Sequence, residues 1–160
     1  MAMVCVWSPR RIGKEVGHSS ILLDKARKPA YVSWWPNGGV NLKSPSTGHH
    51  QTPPYRKDVE LEMGNPTDII PLGCLDEELA AEWWRRVRIQ GTAIPFAPSF
   101  QPRGDDYNLF TNNCSDLVLL AMRVGGSEKV CLWTQGIIVT PWGIRDYARQ
   151  LQTLESFQKQ

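Results

Sequence analysis

The sequence predicts an α+β domain in which an antiparallel sheet is packed by helices. Short apolar runs bounded by turn residues fill the first third of the chain, which is typical of strands. Helix-capping residues precede longer apolar patterns in the second half, which is typical of helices. The 160 residues fit a single domain, residues 1–160, with one hydrophobic core.

Three strands are predicted near the start of the chain. They are Ala2–Trp7, His18–Leu23 and Ala30–Trp35, each rich in apolar or aromatic residues. Residues 24–29 read as a turn, so the second and third strands form a hairpin. This turn places His18 opposite Trp35, with side chains alternating between the two faces.

The middle of the chain is more varied. Residues 40–55 are polar and rich in Pro, Ser, Thr and His, which predicts a long exposed loop of the kind that borders sites. Val59–Met63 alternates apolar and acidic residues and is predicted to be a half-buried strand. Thr67–Leu72 predicts another short strand.

Three helices are predicted from their start and stop signals. Asp76 caps the first, Asn112 or Asn113 caps the second, and Thr140 caps the third, with proline in its first turn. Glycines follow the first two helices and end them. The predicted helices are Leu75–Gln90, Cys114–Val124 and a third that runs from Pro141 to about Phe157.

Charge and hydropathy exclude several function classes. The chain has 18 basic and 16 acidic side chains, so its net charge of +2 is too weak to argue for nucleic acid or an anionic membrane. No segment reaches the ~18 apolar residues that span a bilayer. The first residues lack the pattern of a signal peptide. We therefore expect synthesis in the cytoplasm and, if the protein acts outside the cell, transport by a specialised machine or within a larger parent chain.

The four cysteines form no metal pattern and no disulfide framework. They lack CxxC spacing, and His49 and His50 have no matched Cys, Asp or Glu partners, so neither a metal nor another cofactor is expected. Cys5, Cys74 and Cys131 are interpreted as small buried apolar residues, although one disulfide among them stays open.

Cys114 is the candidate nucleophile. It stands at the start of a predicted helix, where partial positive charge and unpaired backbone N–H groups favour the thiolate. His18 lies 96 positions upstream at the head of a strand and is the candidate base. Together they indicate a thiol hydrolase. The alternative is a buried structural thiol and a histidine hydrogen-bonded to backbone.

Three blocks carry a resemblance to a known family. Residues 113–118 (NCSDLV) resemble the cysteine motif of the NlpC-like peptidases, whose usual form is DCSGLV and whose fold is papain-like. Because the histidine of residues 17–20 (GHSS) comes first, the chain is similar to the circularly permuted branch, which includes lecithin:retinol acyltransferase-like enzymes. With residues 31–36 (YVSWWP), the order most resembles toxin domains of type VI secretion effectors of the TseH kind. The resemblance spans residues 15–126, and Asp116 replaces the family's glycine.

The third catalytic residue is chosen by strand geometry. In papain-like sites the group that orients the histidine lies on the following antiparallel strand. Ser33 shares the face of His18 and lies diagonal to it, so it is the first choice. Asn37, just past the strand, and His49 or His50, on the long loop, stay open.

Further groups are expected around the reacting carbonyl. The backbone N–H of Cys114 is one oxyanion donor. Asn108 matches the position of an amide that papain-like enzymes use, and Tyr107 matches a tyrosine upstream of the NlpC-like cysteine. The side chains expected at oxyanion or substrate-binding positions are Asn108, Tyr107, Asn113, Trp35 and Asn37, of which Asn113 is better explained as a helix cap.

The resemblance implies an antibacterial toxin that cleaves peptide or amide bonds of peptidoglycan in the periplasm of a rival cell. A secretion machine would carry it, and an immunity protein would block its site. A protease or deamidase acting on a host protein stays open, because fold does not fix substrate. Lipid acyl chemistry would favour an exposed apolar segment near the cysteine, and none is evident in the sequence. Asp116 and the uncertain third residue leave a decayed binding module open.

Overall fold

The computed structural model describes residues 1–9, 17–35, 55–90 and 113–158, and for residues 88–90 it describes the backbone alone. Within these ranges the chain forms an α+β domain with a four-stranded antiparallel sheet and four α-helices, which confirms the predicted class. The strands are β1 (Ala2–Trp7), β2 (His18–Leu23), β3 (Ala30–Val32) and β4 (Asp68–Leu72), in the sheet order β3-β2-β1-β4. The helices are α1 (Tyr55–Leu61), α2 (Glu77–Gln90), α3 (Cys114–Val124) and α4 (Pro141–Gln158).

The hairpin of β2 and β3 has the predicted register. Ile21 lies opposite Val32, so the turn falls where the sequence placed it. β3 ends at Val32, three residues earlier than expected. Continuing this register past the strand end puts Ser33 opposite Ser20, on the face of the sheet that carries His18.

The predicted caps of the three longer helices are confirmed. The carboxylate of Asp76 accepts a hydrogen bond from the Leu79 N–H at 2.9 Å. The hydroxyl of Thr140 accepts one from the Gly143 N–H at 3.1 Å, with proline at the first helical position. Of the two asparagines proposed for α3, Asn113 is the cap.

The predicted strand Val59–Met63 is wrong. Residues 55–61 form helix α1, so Tyr55 also begins a helix and does not end a loop. The apolar alternation misled because Leu61 and Met63 are exposed, while Asp58 and Glu62, one turn apart, are buried. The buried residue of α1 is therefore an acid, Asp58, which hydrophobic periodicity cannot reveal.

The core fixes where α3 begins. α3 packs against β2 and α2, and α4 packs against β4 and β1. Trp34, Trp83 and Trp84 are almost fully buried in this core. The first turn of α3 is thereby held close to the start of β2. In the part of the chain that the structure describes, no helix is long and apolar enough to cross a membrane.

Candidate active site

Cys114 is the first residue of α3, and its thiol is buried. The side-chain oxygen of Asn113 accepts hydrogen bonds from the N–H groups of Ser115 at 2.7 Å and Asp116 at 3.2 Å. Asp116 returns the contact by accepting from the Asn113 N–H at 3.0 Å, which completes a capping box. Asp116 thus stabilises the helix start that carries the cysteine.

One backbone donor of the first turn takes no part in this cap. Leu117 donates to the Asn113 carbonyl at 3.3 Å, and the cap takes the N–H groups of Ser115 and Asp116. Among the contacts of the described residues, none uses the backbone N–H of Cys114. This N–H and the positive end of the helix dipole suit a developing oxyanion. The Asn113 amide donates to the Val139 carbonyl at 3.1 Å, so its polar atoms serve the fold.

His18 begins β2, and a glycine is required directly before it. Gly17 has φ +76°, and an added Cβ would lie 2.6 Å from the Trp7 carbonyl oxygen. Both the backbone angle and the space therefore demand glycine. The imidazole of His18 is buried, with Trp35 stacked on it at a ring-centroid distance of 4.5 Å. This stacking fixes the plane of the ring.

Cys114 and His18 lie close enough for each side chain to shift the pKa of the other through its charge and through hydrogen bonding. Nε2 of His18 faces Ser33 Oγ at 3.0 Å and Asp58 Oδ2 at 3.1 Å, which leaves Nδ1 for the thiol. Burial alone lowers the pKa of His18, but the attraction of the Cys114 thiolate and the hydrogen bonds to Asp58 and Cys114 raise it to about 10. Burial alone raises the pKa of Cys114, but the charge and hydrogen bond of His18 bring it below its usual value. Both directions favour a thiolate–imidazolium pair.

Asp58 is the site residue that the sequence did not reveal. Its carboxylate is fully buried and accepts hydrogen bonds from His18 Nε2, the Tyr31 hydroxyl and Trp35 Nε1, the last at 2.8 Å. Burial raises the pKa of Asp58, but the hydrogen bond from His18 and its charge, with those from Tyr31 and Trp35, lower it below the usual value. The prolines at positions 53 and 54, which favour a helix start, were the available signal for α1.

The expected roles of Ser33 and Trp35 can be compared with their contacts. Ser33 lies against Nε2 of His18, as strand geometry predicted, and shares that nitrogen with Asp58. Trp35, expected at a substrate-binding position, stacks on His18 and donates to Asp58. Its contacts are those of a support for the histidine.

The remaining expected residues lie outside the described ranges. They are Asn37, His49, His50, Tyr107, Asn108 and Asn112. Among the described residues, no cluster of three or more His, Cys, Asp and Glu side chains could hold a metal ion. The described site is thus formed by Cys114, His18, Asp58 and Ser33.

The other cysteines differ from Cys114 in environment. All four are free thiols. Cys5 is buried as expected, whereas Cys74 and Cys131 are only partly so. Burial raises the pKa of Cys5 to about 11, and burial with the nearby Glu155 carboxylate raises that of Cys74 to about 12. Among Cys5, Cys74 and Cys114, the surroundings favour the thiolate form at Cys114.

Comparison of the chain with protein-family models, with curated proteins and with solved structures gave no match. The arrangement of the side chains therefore carries the functional argument. Its central feature is a buried Cys114–His18 pair backed by the carboxylate of Asp58.

Proposed function

We propose that this chain is a papain-like, circularly permuted cysteine hydrolase that cleaves amide or peptide bonds. The observation that carries the proposal is the position of Cys114 at a helix N-terminus, beside a buried histidine whose charge lowers the pKa of the thiol and whose Nε2 lies 3.1 Å from Asp58 Oδ2. A nucleophile, a base whose charge acts on it, and a carboxylate that orients the base are the groups that nucleophilic catalysis requires.

The mechanism follows from these contacts. The Cys114 thiolate attacks the carbonyl carbon, and the backbone N–H of Cys114 stabilises the resulting oxyanion. The His18 imidazolium gives its proton to the leaving amine, which leaves an acyl-thioester on Cys114. Neutral His18 then takes a proton from water as the water attacks the thioester. The acid product departs, and the thiolate–imidazolium pair forms again.

The proposed substrate is a peptide or amide bond of bacterial peptidoglycan. The support is the resemblance of the three sequence blocks to type VI effector toxin domains. Two of these blocks, residues 17–20 and 113–118, also contribute His18 and Cys114 to one site. On this proposal the protein is an antibacterial effector delivered to the periplasm of a target cell. A secretion-machine carrier and an immunity protein would be its partners.

The test is digestion of purified peptidoglycan, with products read by mass spectrometry. Wild type should release new fragments whose masses identify the bond cut, and Cys114→Ala should release none. Cys5→Ala is the matched control, because it removes another buried thiol and should leave the fragments unchanged. Equal fragment release by Cys114→Ala would contradict the proposal.

A second candidate is lipid acyl hydrolysis by the same thiol, favoured by one surface feature. Four large apolar side chains are exposed within eleven residues: Leu132, Ile137, Ile138 and Trp142, with Ile137 84% exposed. This segment is tied to the active-site helix, because the Val139 carbonyl accepts from the amide of Asn113, the residue before Cys114. Nothing in the sequence indicated this segment, because exposure cannot be read from it. Such patches mark binding surfaces for apolar partners.

The lipid candidate is tested with phospholipid vesicles. Wild type should release fatty acid, Cys114→Ala should release none, and Ile137→Ser should weaken release by lowering vesicle binding. Vesicle binding without fatty acid release, in a protein that cuts peptidoglycan, would reject lipid as the substrate.

A further inference from the structure

Two serine hydroxyls join the elements that carry the nucleophile and the base. Ser19 Oγ donates to Ser115 Oγ at 2.9 Å, although the two residues are 96 positions apart in the chain. Ser19 directly follows His18 on β2, and Ser115 directly follows Cys114 on α3. Both serines are fully buried. The pair is therefore a direct tie between the two halves of the proposed site.

The direction of this hydrogen bond determines what Ser115 can do. A hydroxyl has one proton, so Ser115 can donate to Ser19 or to sulfur but not to both. The Cys114 sulfur lies 3.9 Å from the Ser115 oxygen. A thiolate can only accept, so in the ion-pair state Ser115 donates to sulfur and the Ser19 hydroxyl donates to Ser115.

We propose that Ser115 stabilises the Cys114 thiolate and that Ser19 is the positioning residue that aims the Ser115 hydroxyl at the sulfur. The proposal rests on the proposed function, in which Cys114 is the nucleophile. It adds a buried donor chain from Ser19 through Ser115 to Cys114, formed by other residues than the Asp58 network.

The burial of the thiol explains why such donors matter. A buried anion is costly unless hydrogen bonds compensate for the lost water. After burial, which raises the pKa of Cys114, the groups that lower it are His18, the Ser19 backbone N–H and the Ser115 side chain. Ser19 thus contributes through its backbone as well as through Ser115, and only the second path is lost in Ser19→Ala.

The experiment measures thiolate formation directly. Ultraviolet thiolate absorbance is followed against pH, with the corresponding Cys114→Ala protein subtracted, for Ser115→Ala, Ser19→Ala and the double variant. Ser127→Ala is the matched control, since Ser127 is also fully buried and hydrogen-bonded to a hydroxyl, that of Tyr147 at 3.1 Å. Unfolding curves confirm that each variant is folded, and Ser19→Ala still tests the proposal if Ser115→Ala does not fold.

Ser115→Ala should raise the pH midpoint of thiolate formation by about 1, the lower end for a hydrogen bond to a charged group. Ser19→Ala should raise it less, and the double variant should match Ser115→Ala, because Ser19 acts through Ser115. Additive shifts would refute the positioning role of Ser19. A Ser115→Ala midpoint equal to that of Ser127→Ala would overturn the proposal.

The same titration separates this inference from the function on which it rests. A wild-type protein without thiolate below pH ~8, the usual range of a free thiol, would refute the nucleophile itself. If the wild-type thiolate forms at low pH and Ser115→Ala leaves its pH midpoint unchanged, only the role of Ser115 is refuted.

Discussion

Asp58→Asn tests what holds the charge on His18. The substitution keeps the size of the side chain but removes its negative charge. Oδ1 of Asp58 accepts from Trp35 Nε1, while Oδ2 accepts from both His18 and Tyr31. An amide can satisfy Trp35 with its oxygen, but its NH₂ group then meets two donors. The loss therefore falls on His18 and Tyr31.

The magnitude follows from the hydrogen bond at Nε2. A hydrogen bond to a charged group contributes about 1.5–3 kcal/mol, and about 1.4 kcal/mol corresponds to one pKa unit. The pKa of His18, about 10 in the wild type, should fall to between about 8 and 9 in Asp58→Asn. The thiolate of Cys114 should in turn form at higher pH, because its counter-charge is weaker.

The assay is imidazole NMR against pH. The chain has three histidines, so the signal of His18 can be assigned by comparison with His18→Gln. Asp24→Asn is the matched control, because it removes the same charge from an exposed turn. A His18 pKa that stays near about 10 in folded Asp58→Asn would refute the carboxylate as the group that holds the imidazolium charge.

Three further outcomes are expected. Because folding lowers the pKa of Asp58, its carboxylate stabilises the fold above the unfolded-state pKa, and this stabilisation is lost as the pH falls through the folded-state pKa. Tyr31→Phe removes a donor to Asp58 and so raises its folded-state pKa. This variant should therefore unfold in acid at a higher pH than the wild type. Tyr55→Phe loses no hydrogen bond to Asp58 and should unfold in acid at the same pH as the wild type. Coincident acid-unfolding curves for the wild type, Tyr31→Phe and Tyr55→Phe would contradict the reasoning. Asn113→Ala should lower the free energy of unfolding by about 1 kcal/mol or more in urea titrations, and an unchanged midpoint would contradict the capping role. Trp35→Phe keeps the stacked ring but loses the Nε1 donor, so kcat/KM on the substrate should fall about tenfold, and an unchanged value would count against this support.

The parts of the fold that sequence predicted are those governed by local chemistry. The turn before β3 set the register of the hairpin, which brought Ser33 to the face of His18. Asp76 and Thr140 marked helix starts because a cap acts within three residues.

Asp58 could not be found in this way. It contacts His18 across 40 positions, and no periodicity encodes that pairing. Its helix buries Asp58 and exposes Leu61, which reverses the usual pattern. A buried carboxylate can be recognised only when its donors, Tyr31 and Trp35, are seen around it.

The most direct measurement of the central claim is the pH at which Cys114 becomes a thiolate. Ultraviolet absorbance of wild type minus Cys114→Ala isolates this thiol from Cys5 and Cys74, whose pKa values are raised to about 11 and about 12. The account predicts that the Cys114 thiolate forms at a pH below that of a free cysteine, and that His18→Gln raises the pH at which it forms. A thiolate that appears only above about pH 8.5, as in a free cysteine, would contradict the account.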